Sequence, residues 1–415
     1  MHAIKCLRIL WFIRRFEKRS PARQRKYQEK KLRELLKHAS EKVPLYKEKY
    51  KGIDLNSIGL DDLGKIPMLT KEDITTKLNS LVSKEYNIED LHVSETSGSS
   101  GLQKKFFRDK EQYQFEMLQV QNRLLQQGWN PWKLLVNYIW TPMEKKTHLY
   151  QRLGFMRKLT VYLLDPLPEI VRKLSKKKIQ CMYMLPSMLE AMFYEAQYQG
   201  VNLKADVIIT GGETLHDETR KMLSKAYNAK VMDSYGAGEC FNIAQECKKG
   251  KYHIRTENVI VEVLGKNNKP VEPGQPGDIV ITNLMNKAMP IIRNKIGDLV
   301  VPGTTCDCGN KLPVLDRITG RSDDMIKLKG GRVLSPRILA NSIQNLSIVR
   351  QYNLIQKDYD RFRMRVDTTA DEDAVKNEIE KIFKKLFEYP CELEFEFGEI
   401  KRGGGGKIRK IWSEI

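Results

Sequence analysis

Between residues 92 and 237 short apolar runs alternate with longer amphipathic ones, and this alternation narrows the possible folds more than any other feature. "HVSET" and "KLLVNYIW" read as strands, with the helix "DKEQYQFEMLQVQNRLLQQG" between them. "PSMLEAMFYEAQYQG" reads as a helix, "ADVIITGG" as a strand, "DETRKMLSKAYN" as a helix and "AKVMDSYG" as a strand. Such alternation predicts an α/β sheet with crossover connections. From residue 251 the style changes to a meander, "YHIRTENVIVEVLG", "GDIVITNL" and "MPIIRNKIGDLV", separated by Gly, Pro and Asn turns. It predicts a β-rich subdomain that shares the large domain's core. A last stretch of about 95 residues, with "MIKLKGGRVLSP", two helices and "CELEFEFGEI", suffices for a small α+β domain. The expected division is a basic helical arm over 1–34, a large domain over 35–321 and a small mobile domain over 322–415.

Charge comes next. The chain of 415 residues holds 72 Lys and Arg against 52 Asp and Glu, a surplus of 20. Such a balance favours anionic company: nucleotides, coenzyme A, an acidic glycan, nucleic acid or a lipid surface. The first 51 residues alone hold 17 Lys or Arg against 5 Glu. Residues 22–42 read as a polar helix ending before "KVPLYKEKY", either a solvated arm or a basic amphipathic patch for anionic lipid or a partner. An apolar fraction of 41% with 30% charged residues excludes collagen-like, disordered and membrane-bundle chains.

The seven cysteines are too sparse for a secreted disulfide framework, so a reducing cytoplasm is expected. The apolar run Ile9–Ile13 is too short for a signal peptide's apolar region or a membrane span. Cys247, His253, Cys306 and Cys308 flank the meander, and four such ligands satisfy tetrahedral zinc of the structural kind. Reduced cysteines at turns beside an unrelated histidine are the plainer reading.

The strongest local signal is "SETSGSSGLQKK", in which a strand runs into Thr96, Ser97, Gly98, Ser99, Ser100 and Gly101, with Lys104 just beyond and a helix expected next. Hydroxyls, small residues and open backbone N–H groups wrap phosphate oxygens closely. This is not the Walker pattern, which ends in Gly-Lys-Ser/Thr. "ITGGETL" sets Gly211, Gly212 and Glu213 after an apolar strand, where ligands bind in parallel sheets. "MDSYGAGECF" sets Tyr235, able to stack on a base, and Glu239, able to hold Mg²⁺, around three small residues. Phe241 stands where a dinucleotide fingerprint needs its third glycine, which rejects that motif. Asp298, after Gly297 and beyond an apolar strand, is a turn residue or an acceptor for two ribose hydroxyls. Arg321 and the pair Asp323-Asp324 mark the domain junction, and Lys407 follows the four glycines 403–406.

In this order the motifs "TSGSSGLQKK", "ITGGETL", "DSYGAGE", "AMPIIRNKIGD", "RITGRSDDMIKLKGGRVLSP" and "GGGGKIRK" resemble the acyl-adenylate-forming superfamily, in its phenylacetate–CoA ligase-like and CapK-like branch, over roughly residues 35–415. The resemblance implies that Thr96–Gly101 and Lys104 hold the β- and γ-phosphates of ATP. It implies that Gly211–Glu213 and Tyr235 border the adenine, that Glu239 binds Mg²⁺, and that Asp298 and Arg321 contact the ribose. Asp323 is then the hinge of the small domain, and Lys407 the lysine that reaches the site during adenylation. Gly238 stands where the family usually has a phosphate-side Thr, and Gln103 replaces a common Pro.

The activity so implied is adenylation of a carboxylic acid by ATP with release of pyrophosphate, then transfer to a thiol, most simply coenzyme A. Transfer to an amine or hydroxyl of a surface-polysaccharide or natural-product precursor is the alternative. A degenerate, non-catalytic nucleotide- or polyanion-binding protein is the third, although no sequence-specific nucleic-acid motif is present. Tyr138, Trp140, Tyr183 and Phe241 are candidates for the wall of the acid pocket, or simply core.

Overall fold

The computed structural model describes residues 3–415 except 97–103, 140–148, 163–164, 322–325, 330–332, 335, 345, 347, 388 and 401–408. The chain forms two compact units, one of residues 1–127 with 234–318 and one of residues 128–233 with 319–415.

The first unit opens with helix α1 (Ala3–Phe16) and helix α2 (Pro21–Lys42). Pro21, at the first helical position, loses no hydrogen bond there, and the following "VP" step ends α2. Leu32, Leu35, Leu36 and Ala39 fall on one face of α2 and enter a core with Tyr46, Ile66, Phe106, Ile291 and Ile292. The helix runs unbroken through residues 34 and 35. Strand β1 (His92–Thr96) pairs antiparallel with strand β2 (Lys104–Arg108), Thr96 opposite Lys104. This corrects the expected passage from strand directly to helix: the Ser/Gly segment joins two strands, and the helix Lys110–Gln126 follows the second. Asp109 caps that helix, its side chain accepting from the Gln112 N–H at 2.9 Å.

The meander of this unit has the order 259–264, 277–283, 294–302, 314–321, 252–254, 240–246 and 230–237. Two expected strands are shorter than the apolar runs suggested. "YHIRTENVIVEVLG" is two strands, Tyr252–Ile254 and Val259–Leu264, because Arg255–Asn258 turns between them and bonds the Val259 N–H to the Arg255 carbonyl at 3.0 Å. In "MPIIRNKIGDLV" the strand begins only at Asn294, because Arg293 is left-handed at φ 50°. Asp298 therefore lies inside a strand, not in a turn beyond one.

In the second unit the strands Leu134–Ile139, Lys158–Tyr162, Ile179–Met184 and Val207–Gly211 pair in parallel. The helices Leu167–Ser175, Pro186–Tyr198 and Asp217–Tyr227 connect them. Val136, Met182, Met184, Leu189, Ile208 and Leu223 are buried together, as expected for strands covered on their faces. The strand Lys230–Ala237 gives its first half to this unit and its second half to the other. The later part of the unit is a four-stranded sheet in the order 392–397, 361–367, 351–356 and 411–413. On its helix Glu372–Leu386, Val375, Ile379 and Phe383 recur every fourth residue and pack on Phe362.

Candidate active site

In the first unit the site is built on the turn between the strands Lys230–Ala237 and Cys240–Glu246. The pairing skips at Gly236, where Tyr235 faces Ala244 but Ala237 faces Cys240. A Cβ on Gly236 would lie 2.0 Å from the Phe241 carbonyl oxygen, so no other residue permits this bulge. The bulge delivers Gly238 and Glu239 to the turn.

Arg108, the last residue of β2, fixes that turn from beneath and is only 1% exposed. Its guanidinium donates to the Gly238 carbonyl and, at 2.6 Å, to Ser94 Oγ. Its Nε lies 2.9 Å from the Glu116 carboxylate, and the Phe241 ring stacks 4.0 Å from its Cζ. A buried guanidinium needs this many partners to offset its lost hydration. Asn283 donates to the Glu239 carbonyl at 3.0 Å, and Asn294 Nδ2 lies 3.5 Å from the Glu239 carboxylate. Lys104 Nζ approaches the same carboxylate to 4.0 Å, so a residue from the head of β2 meets one from a turn 135 positions later.

Glu239 is 7% exposed and its surroundings are polar and cationic. One carboxylate among such partners fits a divalent cation held mostly by substrate phosphates and water, the usual situation of Mg²⁺.

Beside it the Tyr235 hydroxyl donates to Asp298 Oδ2 at 2.6 Å. Asp298 is aimed by a second bulge. Asp278 faces Leu299 while Val280 faces Lys295, which leaves three residues of one strand opposite one of the other. Gly297, at φ 88°, takes the backbone through the region closed to side chains.

The second unit holds the glycine turn after the strand Val207–Gly211. Gly212 has φ 82°, and the Glu213 carboxylate is seated on the start of the helix Pro186–Tyr198. It accepts from the Ser187 N–H at 3.0 Å and the Ser187 hydroxyl at 2.9 Å, a favourable place for an anion. Further along that helix the Glu190 carboxylate takes Lys410 Nζ at 2.9 Å and the Thr219 hydroxyl at 2.8 Å. The Lys410 carbonyl accepts from the Leu354 N–H at 2.7 Å, where the strand Ile411–Ser413 begins its parallel pairing. Lys410 is thereby held through both its side chain and its backbone.

Among the sequence-predicted residues, Lys104 and Glu239 come together, as do Tyr235 and Asp298. Thr96 closes β1 and Arg321 closes its strand. Ser97, Gly98, Ser99, Ser100, Gly101, Asp323 and Lys407 lie outside the described residues, as does Trp140. Tyr138 and Tyr183 are neighbours with ring centroids 5.8 Å apart, whereas Phe241 serves as the stacking partner of Arg108. Arg108, Asn283 and Asn294 were missed. The only available hint for Arg108 was a charged residue closing the apolar pair Phe106-Phe107.

A second cluster lies in the first unit. The ligating atoms of Cys247, His253, Cys306 and Cys308 all fall within 4.8 Å of one another. Cys247 Sγ is 3.6 Å from Cys306 Sγ, and Cys308 Sγ is 3.1 Å from His253 Nε2. His253 Nδ1 faces the Leu312 carbonyl at 3.1 Å, which fixes the proton on Nδ1 and leaves the Nε2 lone pair toward the sulfurs. Burial holds the imidazole below its ordinary pKa and hence neutral, the form that ligates. The Lys249 N–H points at Cys247 Sγ at 3.4 Å. The donor set, count and spacing all fit tetrahedral zinc.

The architecture is that of adenylate-forming enzymes. A solved 2-hydroxyisobutyryl-CoA ligase, in the postadenylation state with an acyl-AMP, superposes with a TM-score of 0.82 at 19% identity, covering 96% of this chain and 91% of that one. The family model for AMP-binding enzymes matches residues 95–286. Phenylacetate-coenzyme A ligase of Thermus thermophilus is 24% identical over 376 residues, which are 86% of this chain and 82% of the relative. Protein CapK of Staphylococcus aureus is 23% identical over 392 residues, 89% of this chain and 82% of that protein. The chain is thus similar to phenylacetate–CoA ligases and to CapK, the branch that its six motifs resemble.

Proposed function

We propose that the protein joins a carboxylic acid to coenzyme A in two steps through an acyl-adenylate. A carboxylate oxygen attacks the α-phosphorus of ATP, and the bond to pyrophosphate breaks. The thiolate of coenzyme A then attacks the acyl carbon, and AMP leaves. The observation that carries this reading is the convergence of Lys104 and Glu239 at one turn, with the Tyr235–Asp298 pair beside it.

Two anions must meet at phosphorus, so the site has to supply positive charge where negative charge develops. Lys104 and the Thr96–Gly101 segment bind the outer phosphates, and Lys407 offers a cation to the α-phosphate. The phenol of Tyr235 orients Asp298 for the ribose hydroxyls, and Gly211–Glu213 supply backbone beside the base. Arg321 contacts the ribose, and Asp323 is the hinge between a large domain over 35–321 and a small domain over 322–415. Glu239 with Asn294 would hold Mg²⁺, whose chemistry is to neutralise the phosphates.

ATP–pyrophosphate exchange across a panel of carboxylic acids, repeated with coenzyme A and with amines, tests the reading. The expected result is exchange that depends on one class of acid, and thioester formed only with coenzyme A. Exchange followed by transfer to amines alone would move the assignment to an amide- or ester-forming ligase. No exchange with any acid would remove it.

The Cys/His cluster is assigned a structural zinc, since four protein ligands leave no position for substrate. The purified chain is expected to carry about one zinc per molecule. Cys306→Ser should lose that metal and lower the melting temperature by several degrees, while the exchange activity of the folded fraction persists. A metal-free native protein of unchanged stability would refute the assignment.

A further inference from the structure

We infer that α1 is an interfacial anchor that seats the protein on an anionic phospholipid bilayer. This goes beyond the ligase reading and does not depend on it. The helix has two faces of different character. Cys6, Ile9, Leu10, Ile13 and Phe16 turn inward, the last two fully buried. The opposite face leaves Ile4, Leu7 and Trp11 exposed at 66%, 64% and 60%. At about 100° per residue these three fall within an arc of roughly 60°. Three large apolar side chains in one stripe are more than scattered surface residues explain.

The flanking charge identifies the occupant. Arg8 and Arg15 lie along one edge of the stripe, within about 40° of it at 100° per residue, and the Arg15 guanidinium sits 4.6 Å from the centre of the Trp11 ring. Among the described residues Arg8, Arg15 and Lys18 have no acidic partner, whereas Lys5 pairs with Glu111 at 2.8 Å at the side of the helix. From residue 3 to residue 28 the only acid is Glu17, and it is turned inward and buried. A face of Ile, Leu and Trp interleaved with arginines, and free of carboxylates, suits a boundary with acyl chains below and phosphates level with the cations. A protein partner of comparable area would more often exclude such a density of uncompensated positive charge. No helix among the described residues is long and apolar enough to cross a membrane, so the contact is one of lying on the surface.

The face is also held in place for docking. Glu17 accepts from Arg255 Nη1 at 2.7 Å and from Gln126 Nε2 at 2.7 Å, and its carbonyl accepts from the Lys311 N–H at 2.9 Å. Arg14 Nε donates to Asn122 at 3.0 Å. The stripe therefore does not have to be ordered on binding, which removes an entropic cost.

Co-sedimentation of the full chain with vesicles tests the inference, comparing phosphatidylcholine alone with phosphatidylcholine mixed with phosphatidylglycerol. Binding is expected to the mixed vesicles only and to weaken with salt. Leu7→Ser/Trp11→Ser should weaken it by about tenfold or more, equivalent to about 1.4 kcal/mol, with melting temperature and pyrophosphate exchange unchanged. Arg8→Gln/Arg15→Gln should weaken it and flatten the salt dependence. Full binding by the Leu7/Trp11 variant would reduce the contact to nonspecific adsorption and overturn the anchor. So would absence of binding to mixed vesicles, or a concentration-dependent dimer that the same variant abolishes.

Discussion

Lys407→Ala is expected to lower ATP–pyrophosphate exchange by about 10²–10³-fold, the loss typical of removing one group that meets developing charge. Thioester formation from supplied acyl-adenylate should stay within a few-fold of the parent chain. The asymmetry follows from the charges. Two anions approach each other only in the first half-reaction, whereas the second has a neutral acyl carbon and an already activated leaving group. Lys407 precedes Lys410 by three positions, and Lys410 is held to Glu190 and to the strand pairing of residues 411–413. Single-turnover measurement of each half-reaction decides the matter: equal loss in both would make the lysine structural only.

Arg108→Met should cost about 3–5 kcal/mol of stability, because it leaves the fully buried Glu116 carboxylate without its cation. It also removes the donor to Gly238 that holds the Glu239 turn, so exchange should fall even where the variant folds. Denaturant titration reads the first effect and exchange the second. The double change Arg108→Met/Glu116→Gln should recover part of the stability, since it withdraws the stranded charge, but little of the activity. A single variant with an unchanged unfolding midpoint would sink the role given to Arg108.

The crossover half was legible in the sequence because its strands are continuous apolar runs, and such runs are dictated by burial on both faces. The strand Val207–Gly211 is fully buried and read correctly at once. β2 escaped because Lys104 and Lys105 mask the apolar pair that follows, and only its pairing with β1 shows it as a strand. Asp298 was misplaced because a bulge leaves no mark in composition beyond one glycine. The ligand types of the Cys/His cluster could be read, but not their meeting. His253 faces Val314 and Gln245 across its two neighbouring strands, and only that register brings three chain segments together. Arg108 lay beyond sequence reading for the same reason. A charged residue is buried only when its partners are, and one of these partners lies 130 positions away.

Glu17 has a consequence for the protein's fate in a cell. Its carboxylate shares the guanidinium of Arg255, deep in the first unit, with Glu257, so the end of α1 is part of the interior and not a detachable leash. A protease that clipped the chain after the first twenty or so residues would take away one of the two carboxylates that hold Arg255 and uncover the core around Ile13 and Phe16. Release from a lipid surface by cleavage would then come at the expense of the folded enzyme. Reversible detachment, by salt or by a change in headgroup charge, would leave the protein whole.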